Sequence, residues 1–138
     1  MPNSYNYEKF LKKEPEKVFE CISNFSEYQK FLPGCTCSET ISTSNDYDIG
    51  RLEFNFFGKS YSIKSKNMKY PNKLLIDQIE GPFNSLSATW QVFEKNGGTQ
   101  IKFYVEFNAP ILLKPFLNQT LIDSFSDKLM DAFIRRIS

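Results

Sequence analysis

Histidine is absent from this chain of 138 residues. That absence removes the commonest general base, the Ser-His and Cys-His nucleophile pairs, and most zinc sites. Cysteine is scarce: Cys21, Cys35 and Cys37 form an odd set, unlike the even framework of a secreted disulfide scaffold. The Cys35-Thr36-Cys37 spacing has no second pair to complete four ligands, and redox motifs carry two intervening residues rather than one. No metal or cofactor is therefore expected, and a reducing, cytoplasmic setting follows. An excess of either charge is lacking too. With 17 basic and 16 acidic residues the net charge is +1, which gives no electrostatic footprint for DNA. A local basic patch for a ribosomal partner is still compatible with that total. No apolar run is long enough to span a bilayer, and the N-terminal Met-Pro-Asn-Ser-Tyr-Asn-Tyr has neither an apolar h-region nor an Arg-rich stretch. No Gly-rich fingerprint follows a strand to cradle phosphates. No Pro/Gly/Ser-rich linker divides the chain, so residues 1–138 read as one soluble domain.

Aromatic side chains are what the sequence has in excess. Fourteen Phe, seven Tyr and one Trp make up 16% of the chain. Phe carries no polar handle and is easily buried in quantity, so a dense core is one reading. An aromatic-lined pocket is the other, since ligand sites are mostly apolar with few polar groups. Both readings hold together if different residues serve each.

The pattern along the chain sorts these residues into elements. Residues 4–12 alternate around Tyr5, Tyr7 and Phe10 and predict a first strand. Pro15 suits a first helical position, and Val18, Phe19 and Ile22 form a stripe over a short helix at 15–24. Ser26 is placed to cap a second short helix whose apolar side is Tyr28, Phe31 and Leu32, stopped by Pro33-Gly34. From residue 36 the period becomes two. Phe54 and Phe56, Tyr61 and Ile63, Leu74 and Ile76, Leu86 and Trp90, and Ile101 and Phe103 mark five strands after a polar edge strand at 36–45. Asn96-Gly97-Gly98 is a strong hairpin signal. The segment 112–137 predicts a helix, with Leu121, Ile122, Phe125, Leu129, Met130, Ala132, Phe133 and Ile137 within an arc of about 180°. Asp123, Asp127, Lys128, Asp131 and Arg135 fill the other half. Such an arc is wide enough to pack along one edge and roof a cavity along the other.

This order makes an α+β protein: a curved antiparallel sheet of six or seven strands gripping one long C-terminal helix, with two short helices closing one end. Phe125, Leu129 and Phe133 are expected to face the sheet.

Specific residues then carry a family likeness. Val18-Phe19 followed by Tyr28-Gln29-Lys30-Phe31-Leu32-Pro33-Gly34-Cys35 resembles a Tyr-x-x-Phe-Leu-Pro-x-Cys stretch of the coenzyme Q-binding START-like family. That family lies within the wider polyketide cyclase and lipid-transport superfamily. Glu80-Gly81-Pro82-Phe83 with Leu86 and Trp90 is similar to its Gly-Pro-Phe segment and following strand. Asp131-Ala132-Phe133-Ile134-Arg135-Arg136 is similar to its C-terminal Ala-Phe-x-x-Arg pattern. Gly34 departs from a bulky aromatic often found there, and Ile137 from a small residue. The resemblance implies a helix-grip fold with an apolar cavity and two roles. One is non-enzymatic binding of ubiquinone or a related isoprenoid lipid in support of respiration, with transient membrane-surface contact at the inner membrane. The other, attached to relatives called ribosome-association toxins, is binding the large ribosomal subunit and blocking subunit joining.

The residues themselves lean toward the first role. Leu32, Phe54, Phe56, Ile76, Trp90, Phe103, Phe125, Leu129 and Phe133 are the candidate ligand-lining set. Gln78 and Ser65 are the inward polar exceptions, either of them able to hydrogen-bond a quinone carbonyl. Glu53, Asp77 and Glu80 are the only carboxylates worth considering as an acid–base pair, and their alternation places them on a solvated face, so no catalysis is expected. For the ribosomal role, Lys64, Lys66 and Lys69 form a basic cluster along one strand.

Overall fold

The period-two segments become seven strands of one antiparallel sheet in the computed structural model, which describes residues 2–56 and 58–138, the Phe56 side chain excepted. The elements are β1 (Asn3–Leu11), α1 (Pro15–Ser23), a 3-10 turn (Phe25–Lys30), β2 (Cys35–Thr43), β3 (Tyr47–Phe56), β4 (Lys59–Tyr70), β5 (Lys73–Glu80), β6 (Ser85–Lys95), β7 (Gly98–Asn108), a short 3-10 turn (Lys114–Phe116) and α2 (Gln119–Ile137). The sheet order is β1-β7-β6-β5-β4-β3-β2. Strands β2 to β7 form a meander, and β7 takes β1 as its outer neighbour, with Asn3 opposite Phe107 and Leu11 opposite Thr99. At the β6–β7 hairpin Asn96 and Gly97 both have positive φ, 48° and 78°. Such a primed turn follows the right-handed twist of its strands.

Two expectations need correction. The C-terminal helix starts at Gln119, not 112, and has about five turns rather than seven. Proline lacks an N–H and clashes with the carbonyl four residues back, so the chain around Pro115 forms a turn and a short 3-10 segment at Lys114–Phe116 instead of helix. Asn118 then caps α2, its Oδ1 accepting from the Leu121 N–H at 2.9 Å. Ser26 is not a cap either. It lies inside the 3-10 turn, which Asn24 precedes, and its carbonyl accepts from the Ser38 hydroxyl at 3.0 Å.

Helix α2 crosses the concave face and comes closest to β1 and α1. The Tyr5 hydroxyl donates to Asp127 at 2.6 Å, and the Gln119 amide donates to the Ser4 carbonyl at 2.9 Å. At the other end the Phe133 ring meets Trp90 at 5.0 Å and Tyr28 at 5.2 Å. Phe125 faces Phe54 at 6.2 Å between ring centroids, and Leu129 packs on the core. All three expected sheet-facing residues thus face the sheet in a helix-grip arrangement. Below Phe133, Val18 and Ile22 of α1 lie against Val92 and Ile101 with essentially no exposure. Among the described residues no helix is long and apolar enough to cross a membrane.

Gly34, where the sequence departs from the family pattern, has φ +80°, and a Cβ there would stand 3.1 Å from the Asn55 carbonyl. The loop conformation, rather than a lost contact, accounts for glycine at that position.

Two buried tyrosines tie stability to pH. The Tyr5 phenol is held well above its usual value, first by burial and then by Asp127, and burial does the same for Tyr28. Raised values in the fold mean that this stabilisation is complete below about pH 10 and is lost as pH rises through the folded values. The melting temperature is therefore expected to fall above about pH 10, with a shallower slope in the Tyr5→Phe/Tyr28→Phe double variant. Thermal melts across the alkaline range check this; equal slopes for parent and variant would contradict it.

Candidate ligand groove

Strand parity decides which side chains meet α2. One inward row runs Tyr7, Phe103, Trp90 and Leu74 across β1, β7, β6 and β5. The next runs Tyr5, Val105, Ala88, Ile76 and Asn67. Toward β3 the inward residues are Leu52 opposite Ile63 and Phe54 opposite Tyr61.

Burial along these rows is uneven. Where α1 covers the sheet, Leu74 and Trp90 are 3% exposed and Phe133 is 4% exposed. Phe54, Ile76, Phe103, Val105, Phe125 and Leu129 also point inward, yet each is only half-buried. These apolar side chains face α2 and still keep some water-accessible surface, which marks the space between α2 and the β3–β7 part of the sheet as the candidate groove. Its inner wall is aromatic, with Trp90 and Phe103 at 4.5 Å.

The expected ligand residues fall into three groups. Phe54, Ile76, Phe103, Phe125 and Leu129 come together along the groove. Trp90 and Phe133 form its floor, while Leu32, 6% exposed, is sealed in the core under the 3-10 turn. The Phe56 side chain lies outside the described residues. Gln78 is inward but committed: its amide donates to the Phe83 carbonyl at 2.8 Å and accepts from the Phe83 N–H, tying the β5–β6 loop. Ser65 is inward and buried, donating to Asn67 Oδ1 at 2.9 Å. Sequence reasoning missed Asn67, although it shares the parity of Ile63 and Ser65. It also missed Ser126, buried on α2 one turn from both Ile122 and Met130. Ser65, Asn67 and Ser126 are buried polar groups on this side, where Gln78 and the Lys69–Asp48 pair also lie by register.

Two clefts open elsewhere. One of about 390 Å³ is bordered by Pro2, Asp77, Gln78, Asn84 and Glu106 at the sheet rim. Another of about 280 Å³ lies between Pro15, Phe19, Pro71 and Val92 beside α1.

The outer face of the sheet holds the charges. Glu53 pairs with Arg51, which also donates to Glu39 at 2.8 Å, and Glu80 stands 4.0 Å from Lys64. Asp77 lies opposite Lys66. None of these carboxylates reaches the groove. Burial pushes the Cys35 thiol up to about 11, which keeps it protonated and a poor nucleophile. Among the described residues no group of three His, Cys, Asp or Glu is placed to hold a metal ion. The basic cluster is split by the period of two. Lys64 and Lys66 share the outer face, with the Lys66 ammonium over the Tyr47 ring, whereas Lys69 points to the other side, 3.6 Å from Asp48.

A seven-stranded antiparallel sheet gripping a C-terminal helix is an architecture with known relatives. Residues 11–134 match the polyketide cyclase / dehydrase and lipid transport family. The chain belongs to that family. Within it, the chain is 30% identical over 138 residues to the ribosome association toxin RatA of Rickettsia prowazekii, covering 96% of this chain and 94% of that protein. In structure it resembles TTHA0849 of Thermus thermophilus, with a TM-score of 0.86 at 17% identity over 98% of this chain and 97% of that one. The Zhui aromatase/cyclase of Streptomyces sp. R1128 superimposes with a TM-score of 0.74 at 16% identity over 98% of this chain and 86% of that one. Likeness at this identity carries the fold, while the side chains of the groove are this family member's own.

Proposed function

We propose that the chain is a non-enzymatic binder of a hydrophobic small molecule, ubiquinone or a related isoprenoid lipid, held in the groove between sheet and α2 in support of respiration. The observation that carries this reading is the half-exposed inward set Phe54, Ile76, Phe103, Phe125 and Leu129. An isoprenoid tail covering it gains about 0.8 kcal/mol for each methylene taken out of water. The tail supplies affinity, and the Asn67 amide N–H is the group offered to a quinone carbonyl, since the Ser65 hydroxyl is given to Asn67 and Gln78 holds the β5–β6 loop. The groove wall is apolar, so the pocket binds and shields rather than transferring protons. Such a binder moves between the cytoplasm and a membrane surface where it loads.

Native mass spectrometry and lipid extraction on protein purified from its own host test this reading. Co-purified quinone or isoprenoid lipid is the expected result; a protein that is empty in every preparation would overturn it.

A second reading rests on the likeness to the Rickettsia toxin: association with the large ribosomal subunit. In that case Lys64 and Lys66, which share the outer face, are the residues to reverse. Their change to Glu is expected to abolish co-sedimentation with ribosomes, and parent binding should fall steeply with salt. Under the groove reading the same change leaves ligand affinity within about twofold, because the tail is buried on the opposite face.

A further inference from the structure

The loop from Ala109 to Asn118 joins β7 to α2 and keeps large apolar side chains outside the core. Ile111 is 81% exposed, Leu112 85% and Phe116 53%. Scattered exposed apolar residues are ordinary on any protein, and Phe10, Phe93, Tyr104, Tyr70, Ile41 and Ile79 on the sheet range from 37% to 50%. The Ile111-Leu112 pair is consecutive and exposed about twice as far. Leu117, by contrast, packs on the core and anchors the loop's end.

Charge and backbone both suit a lipid surface. From Phe107 to Ile122 the chain has no acidic residue, and Lys114 is its one charge. Four backbone N–H groups of the loop bond within it. The Leu113 N–H donates to the Pro110 carbonyl at 2.9 Å, that of Lys114 to Pro110 at 3.2 Å, that of Phe116 to Leu113 at 3.0 Å and that of Leu117 to Lys114 at 3.1 Å. Pro110 and Pro115 have no N–H to satisfy. Each bond made within the turn lowers the cost of bringing irregular backbone to the headgroup–acyl boundary.

We propose that the Pro110–Leu117 loop is a bilayer contact. Ile111 and Leu112 enter the acyl boundary while Lys114 reaches up to anionic headgroups. An RNA surface would call for several cations where the loop has one. A protein surface would favour aromatic and arginine anchors, whereas the tip is aliphatic. The contact goes beyond ligand binding and does not depend on it, because the bilayer meets the loop and not the groove.

Flotation of the full chain with phosphatidylcholine vesicles, with and without a minority of phosphatidylglycerol, tests it. The parent is expected to bind both and to prefer the anionic ones. Ile111→Ser/Leu112→Ser weakens binding to both by about tenfold or more. Lys114→Gln weakens binding to the anionic vesicles alone by about fivefold. Ile41→Ser, an equally apolar change on the exposed β2 edge, leaves binding unchanged. Because Ile111 and Leu112 project into water, the double variant keeps the parent melting temperature. A Leu112→Trp variant adds a second readout, a blue shift on vesicles that the already buried Trp90 does not give. Three results would overturn the proposal: a parent that ignores both vesicle types, a double variant that binds like the parent, or a double variant that keeps the vesicles and loses ribosomes. The vesicles contain no quinone, so an empty groove and an inert loop are told apart.

Discussion

Replacing Phe133 by alanine is expected to cost about 3–5 kcal/mol of stability. The ring is 4% exposed and touches three others, Trp90 at 5.0 Å, Tyr28 at 5.2 Å and Phe31 at 5.2 Å. Truncation leaves a cavity among aromatic neighbours that α1 and the sheet hold in place, so little collapse is available to offset it. Against a native stability of about 5–15 kcal/mol such a loss brings the protein near unfolding. Phe125→Ala, half-buried at the groove, should cost markedly less. Denaturant titration of both variants checks the pair; equal costs would mean that floor and groove are packed alike.

Leu129→Trp is expected to do the reverse, lowering affinity for a short-chain ubiquinone by about a hundredfold while changing stability by less than about 1 kcal/mol. In a filled core, an added ring costs about 1–3 kcal/mol because close-packed neighbours cannot move aside. At a half-exposed groove position the ring takes the space the tail would occupy. Phe103→Trp is the companion change. Its ring already sits 4.5 Å from Trp90, so part of the overpacking cost should return there. Titration followed by Trp90 fluorescence and denaturation, run on the same proteins, separates the two quantities. Strong destabilisation at both positions, with no quinone bound by the parent, would make the aromatic wealth a core feature and move ribosome association ahead.

Most of the sheet was legible because alternation is a local property. Tyr61, Ile63 and Ser65 share a face whatever the rest of the chain does, and Asn96-Gly97 dictates its turn without help. The start of α2 was harder to read. The apolar run from Ile111 to Leu113 extends the helical stripe, and only the combination of Pro115 with the Asn118 cap ends it. Parity also put Phe54, Ile76, Trp90 and Phe103 on one wall correctly. Depth is another matter. Trp90, which meets Phe133 of α2, is buried while its cross-strand neighbour Phe103 is half-buried, and that difference depends on packing between segments distant in sequence. Gln78 shows the same limit, since its inward direction follows from the alternation and its engagement by Phe83 follows from the loop. Lys69 and Asn67 were within reach, as counting by twos separates the first from Lys66 and joins the second to Ser65.

The pairing of β1 with β7 sets an order of events during synthesis. The first strand leaves the ribosome early, but its strand partner lies roughly a hundred residues downstream. At about 5–20 residues per second, the wait is several seconds or more. During it the nascent chain can build the β2–β6 meander by local hairpins, while Tyr5 and Tyr7 have no sheet to join. Closure of the sheet therefore waits until β7 emerges and zips to β1, with α2 still to follow. A pause before β7 leaves a sticky N-terminal segment beside an open sheet edge, the species that chaperones recognise. Placing the present first strand after the last helix, by circular permutation, would shift that closure to the end of the chain and remove the early wait.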